Sequence, residues 1–347
     1  MSKLIIGVPC EVMVGEGRVP IFPETAARLK RDLEKYGVFA GFMVESGLGR
    51  GIGLRDGDWK KVAAVVPGAN VVYGAADIIL GVKQPLREAV SLFRRGQGSC
   101  CFQHVRANEG VVRQLLEKGV KLLPMEANKG ALYQMSRAVG GRIRDILDRC
   151  YNGRGSKKNW IEENILITGA RGTVGRHCID NLLLAGVDPK RIHACDIVEG
   201  WFETQDTAVP RRYETFSIAD EDQFMIALQV CGIEIIAALD KEGRAPKIHE
   251  HRHLAIKPHR ALIIQVNIDE GGSINDERFC KVTFWDDPVY EVMLGPKAIS
   301  VCNVPDIPGC IRPEESSRAL VEANHQYYLD VFRTWPEVPE RFLFREF

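Results

Sequence analysis

The sequence predicts an α/β protein of two domains, each built around a parallel sheet with helices on its faces. The chain has 347 residues, enough for about two domains of ~150 residues each. Short apolar runs alternate with segments of helical periodicity, a pattern that implies parallel strands joined by helices. The composition is 45% hydrophobic and 27% charged, which suits a large packed core and argues against disorder.

The first third of the chain contains short apolar runs separated by helical segments. Each run has the length of one strand, and the segments between them show apolar residues at helical spacing. The predicted strands are 4–8, 39–44, 78–82 and 121–125, and the predicted helices are 23–36, 108–118 and 130–151. The polar loop 152–159, which follows the last of these helices, is expected to mark a domain boundary.

A second alternating series occupies the rest of the chain. Its predicted strands are 164–168, 192–195, 233–237 and 261–266, and its predicted helices are 175–185, 220–231 and 314–332. Strands that alternate with helices in this way again favour a parallel sheet.

Charge and hydropathy exclude two classes of partner. Lys and Arg number 46 and Asp and Glu number 46, so the formal net charge is zero. A nucleic-acid-binding protein normally carries a basic surplus, so nucleic acid is not an expected partner. No apolar run approaches the ~18 residues needed to cross a bilayer, so no membrane partner is expected. The opening residues, MSKLIIGVPCEV, predict a first strand rather than a signal peptide.

The cysteines predict reduced thiols. The ten cysteines are scattered and form no CxxC motif, which is typical of a cytoplasmic protein without a disulfide framework. The run His249-Glu250-His251-Arg252-His253 lacks HExxH spacing. We therefore predict no intrinsic metal site.

A glycine-rich turn between a strand and a helix is the strongest local pattern. It follows the apolar run 165–168, and Asp196 lies 21 residues beyond its last glycine, at the end of the next predicted strand. Glycines let the backbone approach a pyrophosphate at a helix N-terminus, and the acid accepts from a ribose hydroxyl. The predicted dinucleotide contacts are Gly169, Ala170, Arg171, Gly172, Thr173, Val174, Gly175, Asp196 and Ile197.

The cofactor predicted from this turn is NAD. Asp196 would repel a 2′-phosphate, so the turn favours NAD over NADP. Arg171 could reach toward such a phosphate, and NADP is therefore not excluded.

Several further motifs carry a family resemblance. They are Ile6-Gly7-Val8-Pro9, Glu16-Gly17-Arg18-Val19, Gly81-Val82-Lys83-Gln84-Pro85, Phe102-Gln103-His104 and Met125-Glu126. Together they resemble the alanine dehydrogenase and pyridine nucleotide transhydrogenase superfamily, which includes lysine-forming saccharopine dehydrogenase. The segments 169–175 and 296–300 are most like saccharopine dehydrogenase, whereas 266–272 looks like alanine dehydrogenase. Two positions depart from the family pattern: Gln84 stands where Glu is usual, and Asp306 where alanine dehydrogenases carry Asn.

The resemblance implies roles for five side chains. Arg18 would bind a substrate carboxylate, which suits its planar pair of donors. Lys83 and His104 would be the titrating pair, in which a neighbouring His⁺ lowers the pKa of the buried Lys. Glu126 would be the charge partner behind them, and Asp269 would lie between the nicotinamide and the substrate.

The resemblance also implies an enzyme, an NAD(P)-dependent dehydrogenase acting on a CH–NH or CH–NH₂ donor. The expected reaction is hydride transfer through an imine, on an amino acid or an N-substituted, opine- or saccharopine-like amino acid, with an amino acid and a 2-oxo acid as small-molecule partners. One alternative is a simple alanine-type dehydrogenase that uses ammonia; another is an inactive nucleotide-binding regulator. The oligomeric state is open, with a homo-oligomer among the assemblies considered.

The two predicted domains differ in role. Residues 1–132 with 306–347 are predicted to form the substrate domain, and 133–305 a Rossmann-like NAD-binding domain, with the cleft between them as the active site.

Overall fold

The two sheets of the computed structural model are mainly parallel and are flanked by helices, which confirms the predicted α/β class. Contacts divide the chain into two compact units: unit 1 is Met1–Met135 with Pro308–Phe347, and unit 2 is Ser136–Ile307. The roles predicted for the two domains stay predictions. The structure describes residues 3–13, 16–105, 108–152, 159–203, 212–237, 262–267, 280–282, 291–294, 300–305 and 313–345.

Unit 1 contains a six-stranded sheet in which every pair is parallel. Its strands are β1 (Lys3–Val8), β2 (Phe39–Glu45), β3 (Ala63–Val66), β4 (Ile78–Lys83), β5 (Gly98–Phe102) and β6 (Lys121–Pro124). They are arranged in the order β3-β2-β1-β4-β5-β6. All residues of β4 and β5 are buried, as expected for a parallel sheet covered on both faces.

Helices connect these strands. They are α1 (Pro23–Glu34), α2 (Asp56–Trp59), α3 (Ala69–Ala75), α4 (Glu109–Glu117) and α5 (Lys129–Asn152). The division between the two units lies inside α5, after Met135.

Unit 2 contains a nine-stranded sheet. Its strands are β7 (Ile165–Thr168), β8 (Ile192–Asp196), β9 (Gly200–Glu203), β10 (Arg212–Ser217), β11 (Ile233–Ile236), β12 (Leu262–Asn267), β13 (Cys280–Val282), β14 (Glu291–Leu294) and β15 (Ser300–Pro305). The order is β13-β14-β15-β12-β11-β7-β8-β10-β9, with β9, β13 and β14 antiparallel to their neighbours. Its helices are α6 (Thr173–Leu184) and α7 (Glu221–Val230), and α8 (Pro313–Phe332) then returns to unit 1.

The parallel strands of both sheets follow the same winding. Numbered along the chain within each unit, they lie in the order 3-2-1-4-5-6, the arrangement of a doubly wound Rossmann-like sheet. The strand order reverses between β1 and β4 in unit 1, and between β7 and β11 in unit 2. Ligands of such sheets bind outside the carboxyl ends of the strands at this reversal, which directs attention to the loops that follow β1, β4, β7 and β11.

Helix α8 supports the segment after β1 in unit 1. The hydroxyl of Tyr328 donates to the carbonyl of Pro20 at 3.1 Å, and the backbone N–H of Val19 donates to Ser317 Oγ at 3.0 Å. Both bonds are buried. The last helix of the chain therefore fixes the backbone next to Arg18. Of the helices that the structure describes, none has the combined length and apolarity of a membrane span.

Candidate active site

The predicted catalytic side chains of unit 1 follow the carboxyl ends of adjacent strands. Arg18 lies in the segment after β1, and Lys83 is the last residue of β4. His104 and Glu126 come directly after β5 and β6. Because the carboxyl ends of parallel strands meet at one edge of a sheet, the fold brings these four residues to the same side.

Arg18 is buried, with 3% of its surface exposed, and is paired with Glu16. Its Nε and Nη2 donate to the two oxygens of Glu16 at 2.8 and 2.5 Å. Burial would raise the pKa of Glu16, but the charge and hydrogen bonds of Arg18 hold it below the usual value. Two donors of the predicted carboxylate-binding fork are thus directed at a protein carboxylate, and the substrate role of Arg18 stays a prediction.

Lys83 is also buried, and its backbone is held by a residue that sequence analysis did not single out. The carboxylate of Glu11 accepts from the backbone N–H of Val82 at 2.5 Å and of Lys83 at 3.4 Å. Burial, followed by the nearby charge of Glu16, raises the pKa of Glu11 to about 7. The signal that could have found Glu11 is its place three residues beyond the end of β1, in the segment that carries Arg18.

His104 lies in a turn just beyond the end of a strand. Strand β5 ends at Phe102, and His104 has a φ of +43°, in the left-handed region. The imidazole stacks on the ring of Phe102 with centroids 6.1 Å apart and an angle of 21° between planes. This stacking fixes the ring, and 20% of the side chain remains exposed.

Glu126 holds the backbone of this turn. Its two oxygens accept from the N–H groups of Gln103 at 3.2 Å and of His104 at 2.6 Å. The Nδ1 of His104 lies 3.9 Å from the same carboxylate, beyond hydrogen-bond distance. Burial raises the pKa of Glu126. Glu126 therefore acts on the position of His104 through the main chain.

Burial and two nearby cations favour the neutral form of His104. Burial, then the charges of Lys83 and Arg18, lower its pKa to about 3. The family resemblance implied an imidazolium that lowers the pKa of Lys83. In the structure it is the pKa of His104 that is lowered, because the charge of Lys83 disfavours the imidazolium form. At neutral pH, His104 is therefore a hydrogen-bonding group and a potential proton acceptor.

Gln84 connects the loop after β4 to the turn of His104. Its Nε2 donates to Asn108 Oδ1 at 3.3 Å, and Asn108 Nδ2 donates in turn to the carbonyl of His104 at 3.2 Å. A carboxylate at position 84 could not donate to Asn108 in this arrangement. Gln84, in place of the usual Glu, therefore allows a hydrogen-bonded bridge through Asn108 between the end of β4, where Lys83 lies, and the turn of His104.

The glycine-rich turn of unit 2 runs from β7 into α6. A Cβ on Gly175 would lie 2.2 Å from the carbonyl oxygen of Gly169, and one on Gly172 would lie 3.1 Å from it. Helix α6 begins at Thr173, and Gly172 at its N-cap provides no side-chain cap. The turn is therefore as tight as a dinucleotide-binding turn requires, with helix N–H groups able to face an anion.

Asp196 joins this turn to the end of β8. Its carboxylate accepts from the backbone N–H of Arg171 at 2.9 Å and of Ile197 at 2.8 Å. The side chain of Arg171 donates to the carbonyl of Glu199 at 3.2 Å. Ile197 is 80% exposed, so it offers apolar surface beside Asp196. The predicted cofactor residues thus come together at one strand end, although their contacts with NAD stay predictions.

Some predicted residues lie outside the described part of the chain. They are Asp269, Asp306 and the segment from His249 to His253. Among the residues that the structure describes, no group of three His, Cys, Asp or Glu is arranged to hold a metal ion.

Comparison with known proteins gives the family context of these two sites. The chain is 26% identical over 345 residues to an alanine dehydrogenase of Mycolicibacterium smegmatis, covering 94% of this chain and 87% of that protein. A solved L-alanine dehydrogenase matches with a TM-score of 0.68 at 20% identity, covering 96% of this chain and 91% of the other. A transhydrogenase from Sinorhizobium meliloti matches with a TM-score of 0.65 at 17% identity, covering 94% and 93%.

At these identities, the solved structures establish the fold. The family model "Alanine dehydrogenase/PNT, N-terminal domain" matches residues 7–135, which include Glu11, Arg18, Lys83, His104 and Glu126. This stretch of the chain, with its predicted catalytic side chains, is therefore similar to the N-terminal domain of alanine dehydrogenase and PNT.

Proposed function

We propose that the protein is an NAD-dependent dehydrogenase that interconverts a small amino acid with a 2-oxo acid and ammonia. The observation that carries this proposal is the arrangement of buried Arg18 and Lys83 with partly buried His104 at one sheet edge, where desolvation and the two cations lower the pKa of the imidazole. Such a cluster suits a substrate with a carboxylate and an exchangeable proton. The similarity to alanine dehydrogenases over 94% of the chain supports the same reaction.

The residues of unit 2 fit the proposed cofactor. The close approach of Gly175 to Gly169 leaves no room for a Cβ, and Asp196 lies at the end of the strand next to the turn. Gly172 and the N-terminus of α6 would hold the pyrophosphate, and Asp196 would accept from the ribose. When bound, NAD⁺ supplies the hydride acceptor.

The chain's own residues would bind the substrate and manage its protons. Arg18 would hold the carboxylate, with Glu16 fixing the plane of the guanidinium. A substrate carboxylate brings negative charge beside Arg18 and Lys83, which raises the pKa of His104 and lets it hold a proton. Lys83 and His104 would then control the proton of the amine and of the water that adds to the imine carbon.

The relatives favour ammonia over an amino-acid co-substrate. The N-substituted, saccharopine-like reaction remains a second candidate because residues 169–175 and 296–300 resemble that enzyme. The two reactions differ in the size of the group joined to nitrogen. The inactive regulator is disfavoured because Arg18, Lys83 and His104 are all retained and gathered at one edge.

A reductive assay tests the proposal. Purified protein should oxidise NADH with pyruvate or another small 2-oxo acid plus ammonium, and Lys83→Met should abolish turnover. NADH oxidation that requires an amino acid in place of ammonium would support the saccharopine-like reaction. If no pair in a matrix of 2-oxo acids and amines is turned over, while NADH still binds, the dehydrogenase proposal is wrong.

A further inference from the structure

We infer that Glu11 is a positioning residue of the proposed reaction: it fixes the backbone that presents Lys83 and keeps an exchangeable carboxyl proton beside it. This inference rests on the proposed function for its kinetic test, but its structural basis is independent of the substrate.

The first observation is a defect in the hydrogen bonding of β4. Strand β1 pairs with β4 only at Ile78 and Ile79, so it provides no partner near the end of β4. On the other side, the pairing with β5 shifts register between Leu80 and Lys83, and Lys83 then lies opposite Phe102. Buried backbone N–H groups need an acceptor, and a residue inside a register shift can take one from outside the sheet.

Glu11 supplies that acceptor. One of its oxygens accepts from Val82 and the other from Lys83, at 2.5 and 3.4 Å. The carboxylate lies against Gly81, where an added Cβ would be 3.3 Å from Glu11 Oε1. Gly81 therefore leaves room for the carboxylate of Glu11, since a larger residue at position 81 would press on the carboxylate that holds the backbone of Lys83.

The second observation is the charge environment of Glu11. From its own segment it faces Glu16, Arg18 and Cys10, and from the sheet and α3 it faces Lys83, Cys101 and Tyr73. Burial and the charge of Glu16 favour the protonated form, whereas the two N–H bonds and Arg18 favour the ionised form. These opposing effects bring the pKa of Glu11 to about 7, so both forms are populated near neutral pH.

A pocket lies beside Glu11 and one of the proposed catalytic residues, Lys83. Glu11, Lys83 and Gln84 all line it, together with apolar groups that include Leu86 and Phe93. The proton of Glu11 can therefore exchange through the pocket next to Lys83. A change in that proton alters the strength with which the backbone of Lys83 is held, because an ionised acceptor makes the stronger hydrogen bond.

The test compares Glu11→Gln with Asp77→Asn. Asp77 is a matched control because it also accepts a backbone N–H, that of Ile5 at 2.7 Å, at the opposite end of β4. We expect kcat of Glu11→Gln to fall at least tenfold, with less than twofold change in KM for NADH, and its pH profile to lose an inflection near 7. Glu11→Asp should keep the inflection with a reduced kcat, and Asp77→Asn should keep the wild-type profile.

A readout without substrate separates this inference from the proposed function. A raised native pKa stabilises the fold at low pH, and this advantage is lost as pH rises from the unfolded value of 4.5 to about 7. The ratio of the unfolding constants of Glu11→Gln and wild type should therefore fall by up to tenfold per pH unit across that window, even if no amino acid is turned over. A constant ratio, or an equal change in Asp77→Asn, overturns the inference. Wild-type pH dependence in Glu11→Gln, in an enzyme that is active, also overturns it.

Discussion

The carboxylate of Glu126 accepts the backbone N–H of His104 at 2.6 Å, while the imidazole Nδ1 stays 3.9 Å away. Glu11 makes the same kind of contact with Lys83, through the N–H groups of that residue and the one before it. Each of the two basic residues is thus anchored by its main chain to a partly buried acid. The side chains of Lys83 and His104 are not used in this anchoring, so they can interact with nearby charges and with a ligand.

Replacing Glu126 should loosen the turn of His104. In Glu126→Gln one oxygen becomes an amide that cannot accept, so one of the two backbone N–H groups loses its partner. The unsatisfied group costs about 1–3 kcal/mol, and we expect a decrease of that size in the free energy of unfolding, measured with urea. Turnover should fall along with it.

Glu109→Gln is the control for this change. Glu109 forms an exposed pair with Arg113 on α4, and such pairs contribute about 0–1 kcal/mol. A loss of stability in Glu109→Gln as large as that in Glu126→Gln would contradict the anchoring role of Glu126.

His104 and Glu11 should have opposite effects on how the free energy of unfolding changes with pH. Because the pKa of His104 falls from 6.5 to about 3, the unfolded chain binds the extra proton in that range, and stability rises with pH. Because the pKa of Glu11 rises from 4.5 to about 7, the folded chain binds the extra proton there, and stability falls with pH. Between pH 4.5 and 6.5 the two slopes, each at most about 1.4 kcal/mol per pH unit, oppose each other.

Replacing either His104 or Glu11 should leave the pH dependence of stability that the other residue contributes. Relative to wild type, Glu11→Gln should gain stability as pH rises from 4.5 to 6.5, and His104→Asn should lose it. The double variant should follow the wild-type pH dependence. Unfolding free energies at four pH values check this, and parallel curves for wild type and both single variants would rule out the shifted pKa values.

The glycine turn should not tolerate a methyl group at its third glycine. In Gly175→Ala the new Cβ would approach the carbonyl oxygen of Gly169 to 2.2 Å, so the backbone of the turn must move. We expect a loss of several kcal/mol of stability, or insolubility, and at least tenfold weaker NADH binding by fluorescence titration.

Gly110→Ala is a suitable comparison because this glycine lies in α4 with nothing within 4 Å of the added Cβ. There the change should stabilise the helix by about 0.5–1 kcal/mol. Full NADH binding by a stable Gly175→Ala would show that the close approach is not needed for the nucleotide.

Asp196 should set the preference between NAD and NADP. In Asp196→Asn the charge that repels a 2′-phosphate is removed, while Arg171 remains beside Glu199. We expect the ratio of kcat/KM for NADPH to that for NADH to rise about tenfold, equivalent to ~1.4 kcal/mol. Adding Arg171→Ala should reverse most of this rise. An unchanged ratio would place the ribose away from Asp196.

Mostly apolar runs predicted strands at 78–82 and 233–237, and the strands Ile78–Lys83 and Ile233–Ile236 that lie there are buried throughout. Strand Arg212–Ser217 was missed because its exposed and buried residues alternate and it lies toward an edge of the sheet. Helix α6 begins at Thr173, earlier than predicted, because Gly172 serves as its N-cap.

The site was predictable in its residue types but not in its pairings. Motif resemblance pointed to Lys83 and His104, and the parallel sheet gathered them at one edge. The backbone contacts of the two anchoring acids could not be read from the sequence, since Glu11 reaches Val82 across 71 positions and Glu126 reaches His104 across 22. The pairing of Arg18 with Glu16, only two positions away, lies in a segment outside the helices and strands, where no periodicity indicates it.

The positive φ of His104 restricts which amino acids can replace it over evolutionary time. At +43° a β-branched residue is strained, while Asn and Gly enter this region readily. A lineage that no longer needed the imidazole could keep the turn by passing to Asn or Gly. A histidine that persists here is therefore evidence of selection for the ring itself, because Gly or Asn would adopt the positive φ more easily.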